Sequence, residues 1–390
     1  MRRLLATVFL FAFVACDSDP NGTTSQFDDA TVEALSSALE AQRADLDLAG
    51  AIVGVWMGDD EWTHTLGHVD RARSAPMSTD LHFRIGSVTK TFTGELILRL
   101  VDEGVLSLDD TVDMYLPDAP RASEVTIRHL GRMESGYATY TFDPDFQAAL
   151  FAGGNITWRP MDVIQIGWDN TAAECPIVPG YCFDPGTDFA YNNTNLAMLG
   201  LIAEQETGTP LRDLFRTYLL TPAGMSNTLM PTNASLPSPY PRGYSTQGLA
   251  EGSREVHDVT DWNPTWGYGT GDMVSTLADL RIWAEIIGSG SGLSAAMRAE
   301  RFRESRFPPN QPGRAYSFAL GVKDGFWGHT GSTTGYTTTV KHNPDRGVTL
   351  VVLTNGDQHY RRDTSDERPY TPSDVLADAV LEILKPEGGW

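Results

Sequence analysis

The sequence predicts an α/β protein of the α+β type, in which one antiparallel sheet from both chain ends is flanked by helices and carries an inserted, mostly helical lobe. Two observations predict it. Strand-like runs lie near the start of the chain, at residues 51–69, and return near its end, at residues 317–355. Between residues 106 and 264, short helical patterns alternate with long loops rich in proline and glycine. We therefore expect a sheet lobe (residues 27–105 and 265–390) beside a helical lobe (residues 106–264), with a cleft between them.

The first residues predict an export signal rather than part of this fold. The stretch MRRLLATVFLFAFVAC has a short basic start, a brief apolar run and small residues at its end. This is the pattern of a signal peptide, here residues 1–15, and it is too short for a stable membrane span. Phe13-Val14-Ala15-Cys16 also resembles a bacterial lipobox, which would leave Cys16 lipidated; the alternative is an ordinary signal peptide that is cut nearby. Residues 16–26 are polar and predict a flexible tether, so we expect a periplasmic or cell-surface lipoprotein, or otherwise a secreted protein.

The individual elements follow from apolar spacing and from turn residues. Residues 31–48 predict an amphipathic helix, and residues 51–58 predict a buried strand. The hairpin partner of this strand, residues 61–69, follows the turn Gly58-Asp59-Asp60. The last part of the chain predicts three further strands and a final helix, at residues 317–331, 335–343, 347–355 and 372–384.

Composition excludes several classes of function. The chain has 390 residues, of which 41% are hydrophobic, so a sizeable core is available. Its formal net charge of −22 argues against nucleic acid and against anionic lipid headgroups as partners. No lysine lies in a phosphate-loop pattern, no dinucleotide-binding glycine motif follows a strand, and no Gly-x-Ser-x-Gly elbow is present. We expect no cofactor and no metal.

Three cysteines are present, and they divide between two roles. Cys16 belongs to the export signal. The other two, Cys175 and Cys182, close the short stretch CPIVPGYC, in which proline and glycine favour a tight loop. In an oxidising compartment these two predict a disulfide, and their spacing does not suit a zinc site.

Ser87 and Lys90 stand at the start of a predicted helix. Apolar side chains recur with helical spacing over residues 88–100, and Gly104 predicts the end of the helix. Ser87 alone could be a helix cap, but a lysine in the first turn opposes the positive end of the helix dipole. Residues three apart share a helix face, and a lysine shielded from water loses its proton more easily. Such a pair predicts a serine nucleophile with an amine base, although one pair of this kind also arises readily by chance.

Two further stretches carry polar groups beside predicted secondary-structure elements. Tyr191-Asn192-Asn193 ends a short apolar run and precedes a helix, while His329-Thr330-Gly331 lies on or beside a strand with repeated small residues. Taken alone, the first stretch favours a buried tyrosine with an asparagine cap, and the second favours a plain glycine and threonine edge strand.

Together, and in this order, the three stretches resemble the motifs of the penicillin-recognising serine hydrolases. Ser87-Val88-Thr89-Lys90, Tyr191-Asn192-Asn193 and His329-Thr330-Gly331 each have a counterpart in that family, which includes class C β-lactamases, D-alanyl-D-alanine carboxypeptidases and related esterases. The resemblance extends over roughly residues 30–385. It implies a β-lactamase/transpeptidase-like fold and an acyl-enzyme mechanism.

The resemblance also implies roles for single residues. Ser87 would be the acylated nucleophile, and Lys90 and Tyr191 would share the proton transfers, with Tyr191 as a phenolate beside the lysine in one version. Asn193 would hydrogen-bond the amide carbonyl of the substrate. The backbone N–H groups of Ser87 and Ser332 would form the oxyanion hole.

The third motif sets the charge of the site. Thr330 and His329 would line the strand that pairs with the substrate and meets its carboxylate, and a histidine at this point makes the site less cationic than a lysine would. One departure from the family pattern stands before the helical lobe, where the family usually has His-Thr-Ser-Gly. Here the chain reads His129-Leu130-Gly131-Arg132-Met133-Glu134-Ser135-Gly136.

The resulting expectation is an exported serine hydrolase that acts on a peptide or small molecule. D-alanyl-D-alanine carboxypeptidase-like or β-lactamase-related activity on D-amino-acid peptides or β-lactams is the first expectation. An esterase or amidase of the same fold is the alternative, and a non-catalytic protein that binds wall fragments or β-lactams is a further one. The only membrane contact we expect is the N-terminal lipid anchor.

Overall fold

The structure is a computed structural model that describes residues 26–170, 180–249, 255–305, 314–357, 371–387 and 389–390. The predicted signal peptide, Cys16, Cys175 and all of the predicted tether except Gln26 lie outside these ranges, so export, lipidation and the disulfide pairing stay predictions. No helix in the described ranges is long and apolar enough to cross a membrane.

A seven-stranded antiparallel sheet forms the centre of the described chain, with the strand order β2-β1-β11-β10-β9-β8-β7. The strands, including two short pairs outside this sheet, are β1 (Gly50–Met57), β2 (Asp60–Gly67), β3 (Phe83–Arg84), β4 (Tyr244–Ser245), β5 (His257–Asp258), β6 (Val274–Ser275), β7 (Arg314–Tyr316), β8 (Gly321–Lys323), β9 (Phe326–Thr333), β10 (Tyr336–Asn343) and β11 (Val348–Thr354). The first strand of the chain pairs with the last one, with Ala51 opposite Thr354. The predicted fold class, a sheet built from both chain ends, is confirmed.

The C-terminal strands differ from the prediction at one place. Residues 317–331 were expected to form one strand, whereas the structure folds them into the hairpin of β8 and β9. Asp324 and Gly325 form the turn, and both have positive φ angles of 53° and 76°. Because aspartate and glycine tolerate this left-handed conformation, the dipeptide is a turn signal that outweighs the apolar residues on both sides.

Helices cover both faces of the sheet. In chain order they are α1 (Asp29–Asp45), α2 (Thr89–Asp102), α3 (Ile127–Gly131), α4 (Pro144–Phe151), α5 (Pro160–Asp169), α6 (Asn193–Thr207), α7 (Leu211–Leu214), α8 (Thr221–Ala223), α9 (Leu277–Ser289), α10 (Ala295–Arg301) and α11 (Pro372–Ile383). Helices α1 and α11 pack on one face, and α9 packs on the other. Alternate residues of β11 therefore enter two cores: Leu350 and Val352 face α1 and α11, whereas Val351 and Leu353 face the core that contains α2 and α9.

The helices between α3 and α8, with their long connections, lie beside α2 rather than on the sheet. Helix α6 packs against α2, α3 and α5, and this contact joins the middle of the chain to the core that contains α2. The placement brings the start of α6 near the start of α2, where two of the predicted motifs stand.

Asp357 joins the end of β11 to the β9–β10 turn. One of its carboxylate oxygens, Oδ2, accepts hydrogen bonds from Ser245 Oγ at 2.9 Å, Gln247 Nε2 at 2.7 Å and Gly335 N at 2.9 Å. The other oxygen, Oδ1, has no hydrogen-bond partner within the described ranges. The side chain is fully buried, and this burial raises the pKa of Asp357 from 3.8 to about 7, although its hydrogen bonds act in the opposite direction.

Asp357→Asn is expected to make the protein more stable near pH 8 and to have little effect near pH 4. The folded protein keeps a proton on Asp357 up to about pH 7, whereas the unfolded chain loses it near pH 3.8. Stability is therefore lost as pH rises through this window, by roughly 4 kcal/mol in total, and an asparagine removes the loss. The amide oxygen can replace Oδ2, and the NH₂ group takes the place of the unpaired oxygen.

Urea unfolding of both proteins at several pH values measures this difference. Asp118, which is exposed, provides the control Asp118→Asn. A difference between Asp357→Asn and wild type that stays constant from pH 4 to pH 8 would contradict the expectation.

Candidate active site

Ser87 lies in a 3₁₀ turn, Gly86–Val88, that leads directly into α2. The sequence places the helix start at Ser87, whereas α-helical structure begins two residues later, at Thr89. In the described structure no side chain caps the start of α2, so Ser87 is not the helix cap that the sequence left open. The apolar face of residues 88–100 is buried and fixes the helix against the core.

Lys90 contacts Ser87 directly. Its Nζ lies 2.9 Å from Ser87 Oγ and also 2.9 Å from the carbonyl oxygen of Thr270, to which it donates a hydrogen bond. The lysine is fully buried, and this burial holds its pKa well below the ordinary value, opposed by the nearby carboxyl of Asp272. Burial in turn raises the pKa of Asp272 well above its usual range, which weakens its hold on an ammonium group. The surroundings of Lys90 therefore favour a neutral amine next to the hydroxyl of Ser87.

Tyr191 stands on the other side of this pair. Its ring centroid is 5.0 Å from Lys90 Nζ, and the Ser87 side chain is near enough to act on the pKa of its phenol. The tyrosine keeps 40% of its surface exposed. Burial raises the pKa of Tyr191, and the nearby Ser87 side chain opposes this only in part. A neutral phenol therefore fits the site better than a phenolate.

Asn193 is placed by the start of α6. The preceding Asn192 caps this helix, with its side-chain oxygen accepting a hydrogen bond from Asn195 N at 3.1 Å. Asn193 itself is half-buried, and its amide donates to Thr141 Oγ1 at 3.0 Å. Its role in holding a substrate carbonyl stays a prediction.

Two glycines let the backbone of β9 approach the Ser87 turn. A Cβ atom on Gly331 would lie 1.9 Å from the carbonyl oxygen of Ile85 and 3.0 Å from Ser87 N. On the opposite side, Gly86 has a φ of 51°, and a Cβ atom there would lie 2.7 Å from Ser332 N. Neither position has room for a side chain, so the backbone at Ser332 lies close to the Ser87 turn. That the N–H groups of Ser87 and Ser332 form an oxyanion hole stays a prediction.

His329 and Thr330 point to opposite faces of β9. His329 faces the cleft, where its ring lies 5.9 Å from the ring of Tyr191. Thr330 faces α11, and its hydroxyl donates to Asp374 Oδ1 at 2.7 Å, a carboxylate that Thr339 also contacts at 3.0 Å. The hydroxyl of Thr330 is thus occupied by the helix behind the sheet.

Sequence reasoning missed Tyr316, the residue that completes this wall of the site. Tyr316 lies on β7 and is 4% exposed. Its ring makes edge contacts with Tyr191 at 6.0 Å and with His329 at 5.9 Å. An aromatic residue in a strand is an ordinary core residue by pattern, so no local signal pointed to it.

The departure from the family pattern, Arg132-Met133-Glu134, supports the segment that carries Tyr191. Its methionine is fully buried with a φ of 61°, and the carbonyl oxygen of this residue accepts a hydrogen bond from Ala190 N at 3.1 Å. Its arginine pairs with the buried Glu300 across 3.7 Å. The stretch therefore fixes the backbone next to Tyr191.

The remaining predicted site residues concern the disulfide and metals. Cys182 is disulfide-bonded, and Cys175, its predicted partner, lies outside the described ranges. Within those ranges, no three His, Cys, Asp or Glu side chains lie together so that they could hold a metal ion.

Comparison with known proteins gives consistent matches over most of the chain. A family model described as beta-lactamase matches residues 35–370. Penicillin-binding protein 4 of Amycolatopsis lactamdurans is 28% identical over 81% of this chain and 83% of its own length. A D-aminopeptidase of Cereibacter sphaeroides is 28% identical over 83% of this chain and 60% of its own length. Among solved structures, a D-stereospecific amidohydrolase from Streptomyces superimposes with a TM-score of 0.76 at 28% identity and covers 89% of this chain and 97% of its own.

Proposed function

The chain belongs to the beta-lactamase family of serine hydrolases, and from this premise we propose that it cleaves amide bonds of D-amino-acid derivatives through an acyl-enzyme on Ser87. The observation that carries the proposal is the 2.9 Å contact between Ser87 Oγ and the fully buried Nζ of Lys90. An amine without a proton can accept the hydroxyl proton across this contact, and the oxygen becomes a nucleophile.

Acylation follows from these positions. As Ser87 Oγ bonds to the substrate carbonyl carbon, its proton passes to Lys90, and the negative charge on the carbonyl oxygen is stabilised by the N–H groups of Ser87 and Ser332. Tyr191, whose ring centroid lies 5.0 Å from Lys90 Nζ, relays a proton from the resulting ammonium to the leaving nitrogen. The C–N bond then breaks and leaves an ester on Ser87.

Deacylation uses the same groups with water as the nucleophile. Water gives one proton to Lys90 through Tyr191 while its oxygen attacks the ester carbon, and the proton returns to Ser87 Oγ as the C–O bond breaks. The free enzyme is restored with a neutral amine and a neutral phenol. The opposite directions of the two pKa shifts, lowered for Lys90 and raised for Tyr191, support this assignment over a phenolate.

The substrate class is supported by the names of similar proteins. Small-molecule amides and β-lactams fit the family, and two proteins similar to this chain are described as a D-aminopeptidase and a D-stereospecific amidohydrolase. A carboxypeptidase-like activity and an esterase activity use the same chemistry, so substrates must separate them.

Intact-protein mass spectrometry with three acyl donors tests the proposal. A D-amino-acid amide, benzylpenicillin and a p-nitrophenyl ester are each mixed with the protein, the adduct is trapped in acid, and its position is mapped by proteolysis. We expect a mass increase on the peptide that contains Ser87, with turnover of the D-amino-acid amide but not of its L-enantiomer. Acylation by the ester alone would support the esterase alternative, and a permanent penicillin adduct without turnover of any donor would support a binding protein.

A further inference from the structure

A backbone carbonyl shares the amine of Lys90 with Ser87. Within the described ranges, Nζ has two hydrogen-bond partners, Ser87 Oγ and the carbonyl oxygen of Thr270, each at 2.9 Å. A lysine side chain is long and flexible, so a fixed acceptor on one side of the amine determines how closely the amine approaches Ser87. The position of the Thr270 carbonyl therefore matters for the proposed acylation.

Thr270 ends a tight turn that is attached to α2. Its N–H donates to the carbonyl oxygen of Gly267 at 2.7 Å, which closes the turn. On the side of α2, Thr93 donates its hydroxyl to the carbonyl oxygen of Gly269 at 2.6 Å. Because Thr93 follows Lys90 by three residues on the same helix, one side of the turn is fixed relative to the base.

Tyr140 holds the other side of this turn. Its hydroxyl donates to the carbonyl oxygen of Trp266 at 2.8 Å and lies 3.1 Å from Thr270 Oγ1. Trp266 precedes the turn and Thr270 ends it, so one hydroxyl bridges both ends. A carbonyl oxygen only accepts, so the phenol must donate to it, and this bond depends on no charged group. Tyr140 is fully buried, with its ring against Phe146 at 5.3 Å.

The segment that carries Tyr140 is itself attached to the start of α6. Asn193 donates from its backbone N–H to Thr139 Oγ1 at 3.2 Å and from its side chain to Thr141 Oγ1 at 3.0 Å. Between these two threonines, the backbone N–H of Tyr140 donates to Thr194 Oγ1 at 3.2 Å. Residues 139–141 thus contact the second motif through their threonines and the turn behind Lys90 through the tyrosine.

We propose that Tyr140 is a positioning residue for the base: its hydroxyl fixes the turn that ends at Thr270, and the Thr270 carbonyl fixes the amine of Lys90 against Ser87. This inference rests on the proposed function. Tyr140 acts through the turn and not by contact with the substrate. Without its hydroxyl, the buried carbonyl of Trp266 loses its partner, and the turn relaxes away from the position that serves Lys90.

Tyr140→Phe tests this role, and Tyr137→Phe is its matched control. Tyr137 is also buried, at 1% exposure, and its hydroxyl also donates to a backbone carbonyl, that of Pro120 at 2.8 Å. Both variants lose one buried hydrogen bond of the same kind, so we expect similar shifts of the urea midpoint. Only Tyr140→Phe should lower kcat for the D-amino-acid amide, by about 10-fold or more. Tyr137→Phe should stay within about 2-fold of wild type.

The loss in Tyr140→Phe should appear in kcat and in the p-nitrophenyl acetate burst rate, with KM nearly unchanged, because Lys90 moves a proton and does not bind the substrate. Substitutions at Thr270 test the same link from the other end. Thr270→Val removes Oγ1 and should lower kcat by about 10-fold, whereas Thr270→Ser keeps Oγ1 and should restore most of this rate. Since both hydroxyls belong to one link, Tyr140→Phe combined with Thr270→Val should lose no more than about 3-fold beyond Thr270→Val alone.

The outcomes separate this inference from the proposed function. A wild-type protein that is acylated on Ser87, together with equal kcat values for Tyr140→Phe and Tyr137→Phe, would overturn the inference and leave the proposed function intact. Losses in Tyr140→Phe and Thr270→Val that multiply in the double variant would also overturn it. A wild-type protein that no donor acylates on Ser87 would overturn both.

Discussion

Ser87→Ala is expected to lower kcat for the D-amino-acid amide by about 10⁶-fold, and Lys90→Met by about 10⁴- to 10⁶-fold, while the double variant loses no more than Ser87→Ala alone. The reason is that the two side chains form one unit. Without the hydroxyl there is nothing for the amine to deprotonate, and without the amine the hydroxyl keeps its proton. Steady-state kinetics of the three variants gives the double-mutant cycle.

Methionine is the informative substitution at position 90. It is unbranched, close to lysine in length and uncharged, so it fills a fully buried site without needing a hydrogen bond. Because the folded protein holds the pKa of Lys90 well below its unfolded value of 10.5, wild-type stability rises with pH in the window below 10.5, where only the unfolded chain binds the extra proton. The variant lacks this slope, and we expect it to be at least as stable as wild type at pH 7.

Lys341→Met is the matched control for Lys90→Met. Lys341 lies on β10 and pairs with Asp378 of α11 across 3.6 Å, away from the Ser87 turn. Its replacement should leave kcat within about 2-fold of wild type, since a half-exposed pair of this kind contributes little. If Lys90→Met folded normally and kept its acylation rate within a few-fold of wild type, Lys90 would not be the base.

Gly331→Ala is expected to lower kcat/KM by about 10²- to 10³-fold for every donor, because it displaces one side of the proposed oxyanion hole. The added Cβ would lie 1.9 Å from the carbonyl oxygen of Ile85. The backbone fixes the position of a Cβ, and the oxygen is itself a backbone atom, so neither can rotate away. The strand must therefore move away from the Ser87 turn, and the Ser332 N–H moves with it. The loss should appear in kcat rather than in KM, since the charge on the oxygen develops only in the transition state.

The neighbouring strand provides a control for this substitution. A Cβ on Gly321 of β8 would meet one atom, the carbonyl oxygen of Gly328, at 3.4 Å, which is an ordinary contact. Gly321→Ala should therefore keep kcat/KM within about 3-fold of wild type, as a surface substitution away from special features does. Equal losses in the two variants would mean that the effect of Gly331→Ala does not come from its closeness to Ser87.

How far the sequence predicted this site depends on how local each signal is. Ser87 and Lys90 are three residues apart on one helix, so their contact follows from helical geometry together with the buried apolar face. Tyr191 and His329 lie far apart in sequence, and their local patterns favoured structural roles; only the resemblance to a family brought them into the site. The 2.9 Å contact between Lys90 and Ser87 could thus be predicted from local sequence, whereas the 5.9 Å ring contact between Tyr191 and His329 could not.

The parts that sequence did not predict are decided by tertiary structure. Tyr316 looks like any strand aromatic, and its hydrogen bond to His329 depends on the pairing of β7, β8 and β9. The direction of the Thr330 hydroxyl depends on which face of β9 meets α11, and this is fixed only when the helix packs. The Asp324-Gly325 turn could have been predicted from the sequence, since this dipeptide is a strong hairpin signal. The apolar residues around it favoured one long strand instead.

The pairing of β1 with β11 means that synthesis from the N-terminus delivers the proposed nucleophile and base long before the residues that complete the proposed site. A nascent chain that has emerged as far as α2 contains Ser87 and Lys90, yet Ala51 still lacks Thr354 beside it and the backbone of Ser332 has not been made. Contacts so distant in sequence close slowly, after the loop between them has been ordered. We therefore expect a fragment, or a chain that has not finished folding, to lack the proposed activity.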